Sequence, residues 1–289
     1  MPLPETLTIR NGPLMARFSP HQGGRMTHLV HDALGDILVP MAEGAFDPFS
    51  WPKAGAYPLF PYHNRLVGAA FVHEGQAHKI LPHPALGTDA MHGPSHRRAW
   101  SVLSHDSDTI ELALTYQADT DWPFDFTAVQ RFRLSPERLD IDLCLRNIGQ
   151  RTMPGGFGWH PYFAVNANNT VHCDANVTWP LDEHAVPTGK PAVERNPEPP
   201  LPSDDFTIHL SDWKTATAIL DGGGRIAISA DAALPHLVAH RTSTYVCLEP
   251  VSHVAGALRW APAQQEAADL VQLEPGQAIS GKVSLAIGV

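Results

Sequence analysis

Short stretches in which apolar and polar residues alternate recur along the whole chain, and they constrain the fold more than any other feature. From 138 to 146, leucine or isoleucine occupies every second position. A period of two residues is typical of a strand with one buried face. No long stretch shows the period of an amphipathic helix. Strands in succession without crossover helices predict an all-β chain, folded as a large antiparallel sandwich or barrel.

Further segments carry the same pattern more weakly, and we expect each to form a strand: 7–10, 37–39, 109–116, 127–134, 215–220, 225–229, 245–248 and 282–287. The 27 prolines and 22 glycines among 289 residues supply the turns between them. Because all-β folds often exceed 200 residues as one domain, we expect a single domain over 1–289. The proline-rich segment 187–202 predicts a long surface loop, or a loop that borders a ligand cleft.

Charge and cysteine content restrict the class of partner. The formal net charge of -10 argues against nucleic acid and anionic membranes, which are bound through clustered Lys and Arg. The N-terminus shows no basic region followed by an apolar stretch, and the three cysteines form no CxxC pair. We therefore expect a cytoplasmic monomer or homodimer that binds a small molecule and has no structural metal.

The segment from Gly156 to Phe163 gives the strongest candidate site. His160 lies in an aromatic run and precedes a proline, which favours extended geometry and ends regular pairing nearby. Trp159 and Tyr162 would suit a sugar, because its C–H faces pack on aromatic rings. The alternative is a buried structural histidine that hydrogen-bonds a carbonyl.

Two turns supply further polar groups. Asn64 and Arg65 follow a run of apolar residues and prolines, where a guanidinium group could meet ligand oxygens; an exposed turn is the alternative. His92 precedes Gly-Pro and is expected in a turn, where binding groups commonly occur. Four residues later, His96, Arg97 and Arg98 form a basic cluster. This cluster predicts either a solvated loop or an anion-binding edge.

Acidic candidates lie near the C-terminal part of the chain. Glu249 follows apolar residues at the predicted end of a strand, where partial desolvation would raise its pKa towards that of a useful general base. A solvent-facing glutamate is the alternative. Asp204 and Asp205 could accept hydrogen bonds from sugar hydroxyls, or form an ordinary acidic turn.

Taken in order, these segments resemble the aldose 1-epimerase (galactose mutarotase-like) family, in a divergent bacterial-type branch. The resemblance spans nearly the whole chain and rests on motifs in the family's order: Asn64-Arg65, Met91-His-Gly, Gly158-Trp-His-Pro-Tyr-Phe163, Asp204-Asp-Phe206, Cys247-Leu-Glu-Pro250 and Leu273-Glu-Pro-Gly276. It implies a large antiparallel β-sandwich of the galactose mutarotase-like type. It also implies an isomerase that interconverts sugar anomers with neither cofactor nor metal.

The same resemblance assigns roles to residues. It makes Glu249 the general base on the anomeric hydroxyl and His160 the general acid on the ring oxygen, with His160 protonated and Glu249 ionised at the start. Arg65 and His92 would bind or polarise sugar oxygens. Asp205, or else Asp204, would hold hydroxyls away from the reacting carbon.

Departures from the family pattern leave the substrate open. Typical members have Leu-His-Gly-Gly where this chain has Met91-His-Gly-Pro94, and Glu-Thr-Gln where it has Glu249-Pro-Val. Neutral, phosphorylated and sulfonated hexoses are all conceivable substrates. Arg97 and Arg98 could bind the charged group of an anionic sugar, so this substrate class stays open. Two other classes compete: a non-catalytic sugar-binding protein that uses the same cleft, and a histidine-metal enzyme suggested only by the 17 histidines.

Overall fold

The computed structural model describes residues 6–42, 44, 46–50, 52–190, 192–220 and 223–288. Within these residues strands dominate, and the one α-helix, α1, is Pro262–Glu266. The strands in chain order are β1 (Leu7–Asn11), β2 (Leu14–Ser19), β3 (Arg25–His31), β4 (Gly35–Asp36), β5 (Ala56–Leu59), β6 (Arg65–Leu66), β7 (Ala70–His73), β8 (Gln76–Lys79), β9 (Ala90–Met91), β10 (Ser101–His105), β11 (Thr109–Tyr116), β12 (Phe126–Ser135), β13 (Arg138–Asn147), β14 (Met153–Gly155), β15 (Gly158–Pro161), β16 (Thr170–Cys173), β17 (Val177–Thr178), β18 (Val193–Glu194), β19 (Phe206–Ser211), β20 (Thr215–Ile219), β21 (Arg225–Ala230), β22 (His236–Arg241), β23 (Val246–Val251), β24 (Val271–Leu273) and β25 (Ala278–Gly288).

Two large antiparallel sheets pack against each other. The first follows the order β1-β2-β3-β5-β15-β23-β22-β19-β17-β18, with β4 added on β3. The second follows β10-β11-β12-β13-β25-β21-β20-β16. Short ribbons pair β6 with β9, β7 with β8 and β14 with β24. The predicted all-β class and large antiparallel sandwich are confirmed.

Alternating side chains build the core between the sheets. In β13 the inward residues are at most 1% exposed, as their two-residue period predicts: Leu139, Ile141, Leu143 and Leu145. Across the layers, the rings of Phe18 from β2 and Phe132 from β12 lie with centroids 4.8 Å apart. The buried Gln130 amide donates to the Gly24 carbonyl at 2.6 Å, which satisfies a polar group inside the sandwich.

The central strands of the first sheet differ, because both of their faces are covered. Every residue of β5, β15 and β23 is buried. Their outer face carries a second, smaller apolar cluster, made of Tyr57, Leu59, Tyr162, Val238, Cys247 and Val251. Polar side chains on these strands therefore point into a largely dry environment rather than into solvent.

One predicted strand is wrong. Residues 37–39 form no strand, although Leu38 makes an isolated bridge with Phe163 and is fully buried. Its apolar character reflects full burial, and the segment makes isolated backbone hydrogen bonds, such as Val39 N–H to the Tyr162 carbonyl at 2.8 Å, instead of a strand ladder. The predicted loop 187–202 contains the two-residue β18 and a bridge at Pro187, and its Pro191 lies outside the described residues. No helix within the described residues has the length and apolar character needed to cross a membrane.

Removing a core ring should show how much the sandwich depends on this packing. We expect Phe132→Ala to lower the free energy of unfolding by about 3–5 kcal/mol, through lost burial and the cavity left behind. Arg133, exposed on the same strand, provides the control, and Arg133→Ala should stay within about 0.5 kcal/mol. Urea denaturation measures both. Equal losses in the two variants would contradict the assigned core.

Candidate active site

A cleft of about 310 Å³ opens on the outer face of the first sheet, where β15, β23 and β22 lie side by side. Its described lining residues come from strands and from neighbouring loops: Lys53, Asn64, Arg65, Met91, His92, His160, Tyr162, His184, Ala185, Thr207, Val238, His240, Tyr245 and Glu249. A larger cavity of about 1000 Å³ lies beside α1. The smaller cleft is the candidate active site, because a buried imidazole meets a buried carboxyl on its floor.

His160 and Glu249 form this pair. Their Nε2 and Oε1 atoms are 3.3 Å apart, and the residues are only 4% and 3% exposed. The other polar atoms, Nδ1 of His160 and Oε2 of Glu249, have no hydrogen-bond partner among the described residues. Buried polar atoms in native proteins are usually satisfied, so two unsatisfied atoms at one cleft point to a ligand that completes the site.

The sheet register brings the two side chains together. Gly158 of β15 pairs with Val251 of β23. Two residues further along this antiparallel register, His160 comes opposite Glu249 on the same face. The strands approach closely because residue 158 is glycine: a Cβ there would lie 2.7 Å from the Pro250 carbonyl oxygen. Glu249 thus lies within β23, not at its end as predicted.

Aromatic rings fix the orientation of His160. Tyr57, opposite it on β5, stacks on the imidazole at a centroid distance of 4.6 Å. Tyr162, directly after β15, lies 4.8 Å from the imidazole, and its ring is only 6.2 Å from that of Tyr57. The two phenols therefore pack on adjacent sides of the imidazole and restrict its rotation. Behind Tyr57, the buried guanidinium of Arg25 lies 4.5 Å from the phenol centroid.

Burial sets the charge of the pair. It raises the pKa of Glu249 to about 8, against the opposing effect of the Lys53 cation. Burial also lowers the pKa of His160 well below its usual value, and the cations of neighbouring residues add to this effect. The expected rise for Glu249 is confirmed. For the free site, this dry environment favours a neutral carboxyl beside a neutral imidazole; protonated His160 beside ionised Glu249 stays a prediction for the reacting site.

His92 is held in a turn, as predicted. Its φ is 61° and that of Asn64 is 59°, and the two residues exchange contacts: the His92 N–H donates to the Asn64 carbonyl at 3.0 Å, and the Asn64 N–H donates to Nδ1 of His92 at 3.0 Å. Because Nδ1 accepts, the neutral ring carries its proton on Nε2. Burial lowers the pKa of His92 well below its usual value, which keeps this tautomer.

Arg65 lies at the cleft and is oriented by Asp89, a residue that the sequence analysis missed. Nη1 of Arg65 donates to Oδ2 of Asp89 at 2.9 Å, and the Gly68 N–H donates to Oδ1 at 2.8 Å. Although burial opposes it, these hydrogen bonds hold the pKa of Asp89 below its usual value. The ionised carboxylate thus fixes the guanidinium group beside Asn64.

Three predicted contact residues are buried away from the cleft. Trp159 alternates with His160 and therefore packs into the core, fully buried. His96 is buried behind the site, with its ring 5.2 Å from that of Tyr57. Arg97 is neither solvated nor anion-binding, because its guanidinium pairs with Asp121 at 3.3 Å in a buried position. The neighbouring arginine is also ion-paired, so the basic cluster is neutralised internally.

The acidic pair lies beside the cleft rather than in it. Asp204 and Asp205 are exposed in the bend before β19 and are absent from the described lining. The charge of Asp205 nevertheless acts on His240 and Tyr245, which do line the cleft. Asp205 is therefore placed near the mouth of the cleft.

Other lining residues had only weak sequence signals. His240 shares a face of β22 with Val238, and it could have been found from the alternation His-x-Val-x-His between 236 and 240. Its Nδ1 lies 2.9 Å from the Thr207 hydroxyl. Lys53 follows a proline in a loop and offers no pattern at all. Burial lowers its pKa to about 8, against the opposing charges of Cys247 and Glu249.

Fold and site together define a large β-sandwich protein with a buried histidine–glutamate pair in a small polar cleft. The sequence model of the family described as aldose 1-epimerase matches residues 5–286. The chain therefore belongs to the aldose 1-epimerase family.

Individual relatives are similar to this chain at low identity. An uncharacterized Escherichia coli protein, YphB, is 24% identical over 251 residues, which cover 81% of this chain and 84% of that protein. A galactose mutarotase-like protein from Clostridium acetobutylicum has a TM-score of 0.86 at 19% identity, covering 98% of this chain and 95% of its own. Galactose 1-epimerase from Lactobacillus acidophilus has a TM-score of 0.75 at 15% identity, covering 97% and 93%. At these identities the structures establish the fold.

The buried histidines should make the protein sensitive to acid. Burial lowers the pKa of His209 to about 4 and that of His253 to about 3. Because unfolded histidine titrates near pH 6.5, the unfolded state binds more protons below that pH, and stability is lost as the pH falls. One such ring accounts for about 2 kcal/mol between pH 7 and 5.

Urea denaturation at several pH values checks this. We expect wild-type stability to fall between pH 7 and 5, and the fall to be about 2 kcal/mol smaller in His209→Gln. His21→Gln, at an exposed position, should keep the wild-type slope. A wild-type stability that does not change over this range would contradict neutral burial of these rings.

Proposed function

We propose that this protein is an aldose 1-epimerase, a mutarotase that interconverts the α and β anomers of a hexose or hexose derivative by opening and closing the ring. The observation that carries the proposal is the contact of His160 with Glu249 at 3.3 Å on the cleft floor, in a chain of this family. Anomer exchange needs one group that takes a proton and one that gives a proton, acting on two oxygens attached to the same carbon. A contacting imidazole and carboxyl meet that requirement.

The pair holds one transferable proton. In the free site it lies on the Glu249 carboxyl, and its transfer to Nε2 of His160 produces the ionised form without exchange with solvent. Lys53 favours the carboxylate, since its cation lowers the pKa of Glu249. A sugar bound across the pair would be met by the carboxylate as base and the imidazolium as acid.

The reaction then proceeds with its protons balanced. Glu249 takes the proton from the anomeric hydroxyl while His160 protonates the ring oxygen; the bond from C1 to the ring oxygen breaks, and an aldehyde forms. After rotation about the C1–C2 bond, the ring oxygen adds back to either face of the carbonyl. The reverse transfers restore the starting protonation, so no cofactor is consumed.

Other lining residues would bind the sugar. Nε2–H of His92 would donate to a sugar oxygen, because Nδ1 accepts from the Asn64 N–H and the proton therefore lies on Nε2. Arg65 and Asn64 would donate to hydroxyls, and Tyr162 would offer its ring edge. Asp205, whose charge acts on His240 and Tyr245, would accept from a sugar hydroxyl.

The charge around the cleft bears on the sugar. With Arg97 ion-paired to Asp121, the cations that line the cleft are Lys53 and Arg65. Both side chains could donate hydrogen bonds to the hydroxyls of a neutral hexose, or form an ion pair with a phosphate or sulfonate group. Exchange NMR over neutral, phosphorylated and sulfonated hexoses, with and without Lys53→Met, would identify the class.

Replacement of either member of the pair should remove most of the activity. We expect Glu249→Gln and His160→Asn each to lower kcat by at least about 100-fold, the usual contribution of a general acid or base. Polarimetry of a freshly dissolved α-sugar measures the rate. Glu198→Gln and His172→Asn, at exposed positions, are the matched controls and should keep wild-type rates.

Two results would overturn the proposal. One is a wild-type rate in either pair variant. The other is a wild-type protein that binds the sugar without accelerating anomer exchange, which would favour a non-catalytic sugar-binding protein.

A further inference from the structure

Cys247 adds a third donor to the catalytic pair. It lies two residues before Glu249 on β23 and therefore faces the same side of the sheet. Its Sγ, a nitrogen of His160 and a carboxylate oxygen of Glu249 all lie within 4.8 Å of one another, and all three residues are buried. The proposed reaction leaves this thiol unused.

The donor set matches that of a divalent zinc ion. Zinc binds thiolate, imidazole and carboxylate groups in tetrahedral sites with bonds of about 2.0–2.3 Å, which corresponds to donor separations of roughly 3.3–3.7 Å. The contact from Nε2 to Oε1 already has this value, 3.3 Å. Sγ needs a shift of at most about 1 Å, within the reach of a side-chain rotation.

A second observation points to a ligand at the same place. Oε2 of Glu249 is buried and has no hydrogen-bond partner among the described residues, although the residue lines the cleft. An ion bound by both carboxylate oxygens of Glu249, together with His160 and Cys247, would satisfy Oε2, and the cleft would leave a further position to water. Catalytic zinc sites commonly have three protein ligands and one open position.

We propose that His160, Cys247 and Glu249 form a binding site for Zn²⁺ and that the ion inhibits the enzyme. Binding releases the protons of the thiol and the carboxyl to solvent, while the ion takes the lone pair of the imidazole. The pair can then neither accept nor donate a proton to the sugar. Binding stands on the geometry alone, whereas the inhibition rests on the proposed function.

Cobalt provides a direct probe, because a thiolate bound to Co²⁺ gives a charge-transfer absorption in the near ultraviolet. Titration of the full-length, metal-free protein with CoCl₂ should produce this band, and ZnCl₂ should remove it. Cys247→Ser should abolish the band. Cys144→Ser and Cys173→Ser, which change the other two thiols, should keep it.

Zinc affinity and activity complete the test. We expect calorimetry to show that Cys247→Ser binds Zn²⁺ at least tenfold more weakly than wild type, and polarimetry to show a matching loss of zinc inhibition relative to its own metal-free rate. Should Cys247→Ser fail to fold, Glu249→Gln, which removes a charged oxygen donor, provides the same comparison of affinities.

Absence of the cobalt band, or an undiminished band in Cys247→Ser, would overturn the metal site. The two proposals fail separately, because the cobalt spectrum does not depend on anomer exchange. A cysteine-dependent band in a protein whose metal-free form does not accelerate exchange would refute the mutarotase proposal and leave the metal site in place.

Discussion

The contact between His160 and Glu249 is the interaction around which the rest of the site is arranged. Two ionisable groups are placed side by side in a nearly dry position, where isolated charges are costly. Burial shifts the pKa of each group towards its neutral form. A proton transfer from the Glu249 carboxyl to the His160 imidazole, across 3.3 Å, would turn the neutral pair into an ion pair without changing its net charge. Such a pair would suit the proposed reaction, in which one member gives a proton to the sugar while the other takes one.

The fold maintains this contact by rigid means. Strands with two covered faces carry the pair, so its position follows from the sheet register rather than from a loop. Gly158 allows the strands to approach, and the phenols of Tyr57 and Tyr162 pack against the imidazole on adjacent sides. His92 and Arg65 come instead from turns beside the sheet. Each is oriented by a partner that fixes its hydrogen bonding: the Asn64 backbone for His92, and Asp89 for Arg65.

The sequence predicted the sandwich well, because alternation is a local signal that survives wherever one face meets the core and the other meets solvent. It failed at residues 37–39, where burial without ladder pairing produced the same apolar run. The site was predicted less completely. His160, His92 and Arg65 were found because their residue types are unusual in their surroundings, and the structure brings all three to the cleft.

The errors within the site have a common physical cause, which is that partners lie far away in sequence. Arg97 looked available because its partner Asp121 comes from a separate segment. Trp159 looked like a sugar platform because its run is aromatic throughout, and only the strand period assigns its side chain to the core. The apolar residues before Glu249 predicted its raised pKa, but no local pattern predicted the burial that lowers the pKa of His160. Lys53, which faces that pair from a loop, left no signal.

The most direct test of this account is a measurement of the protonation of Glu249 itself. Protein labelled with ¹³C at the glutamate side-chain carboxyl would be titrated by NMR, with Glu249→Gln used to assign the resonance. We expect that carboxyl to remain protonated at pH 7 and to titrate near pH 8, as its burial requires. A carboxyl that is already ionised at pH 6 would contradict the neutral, proton-sharing pair.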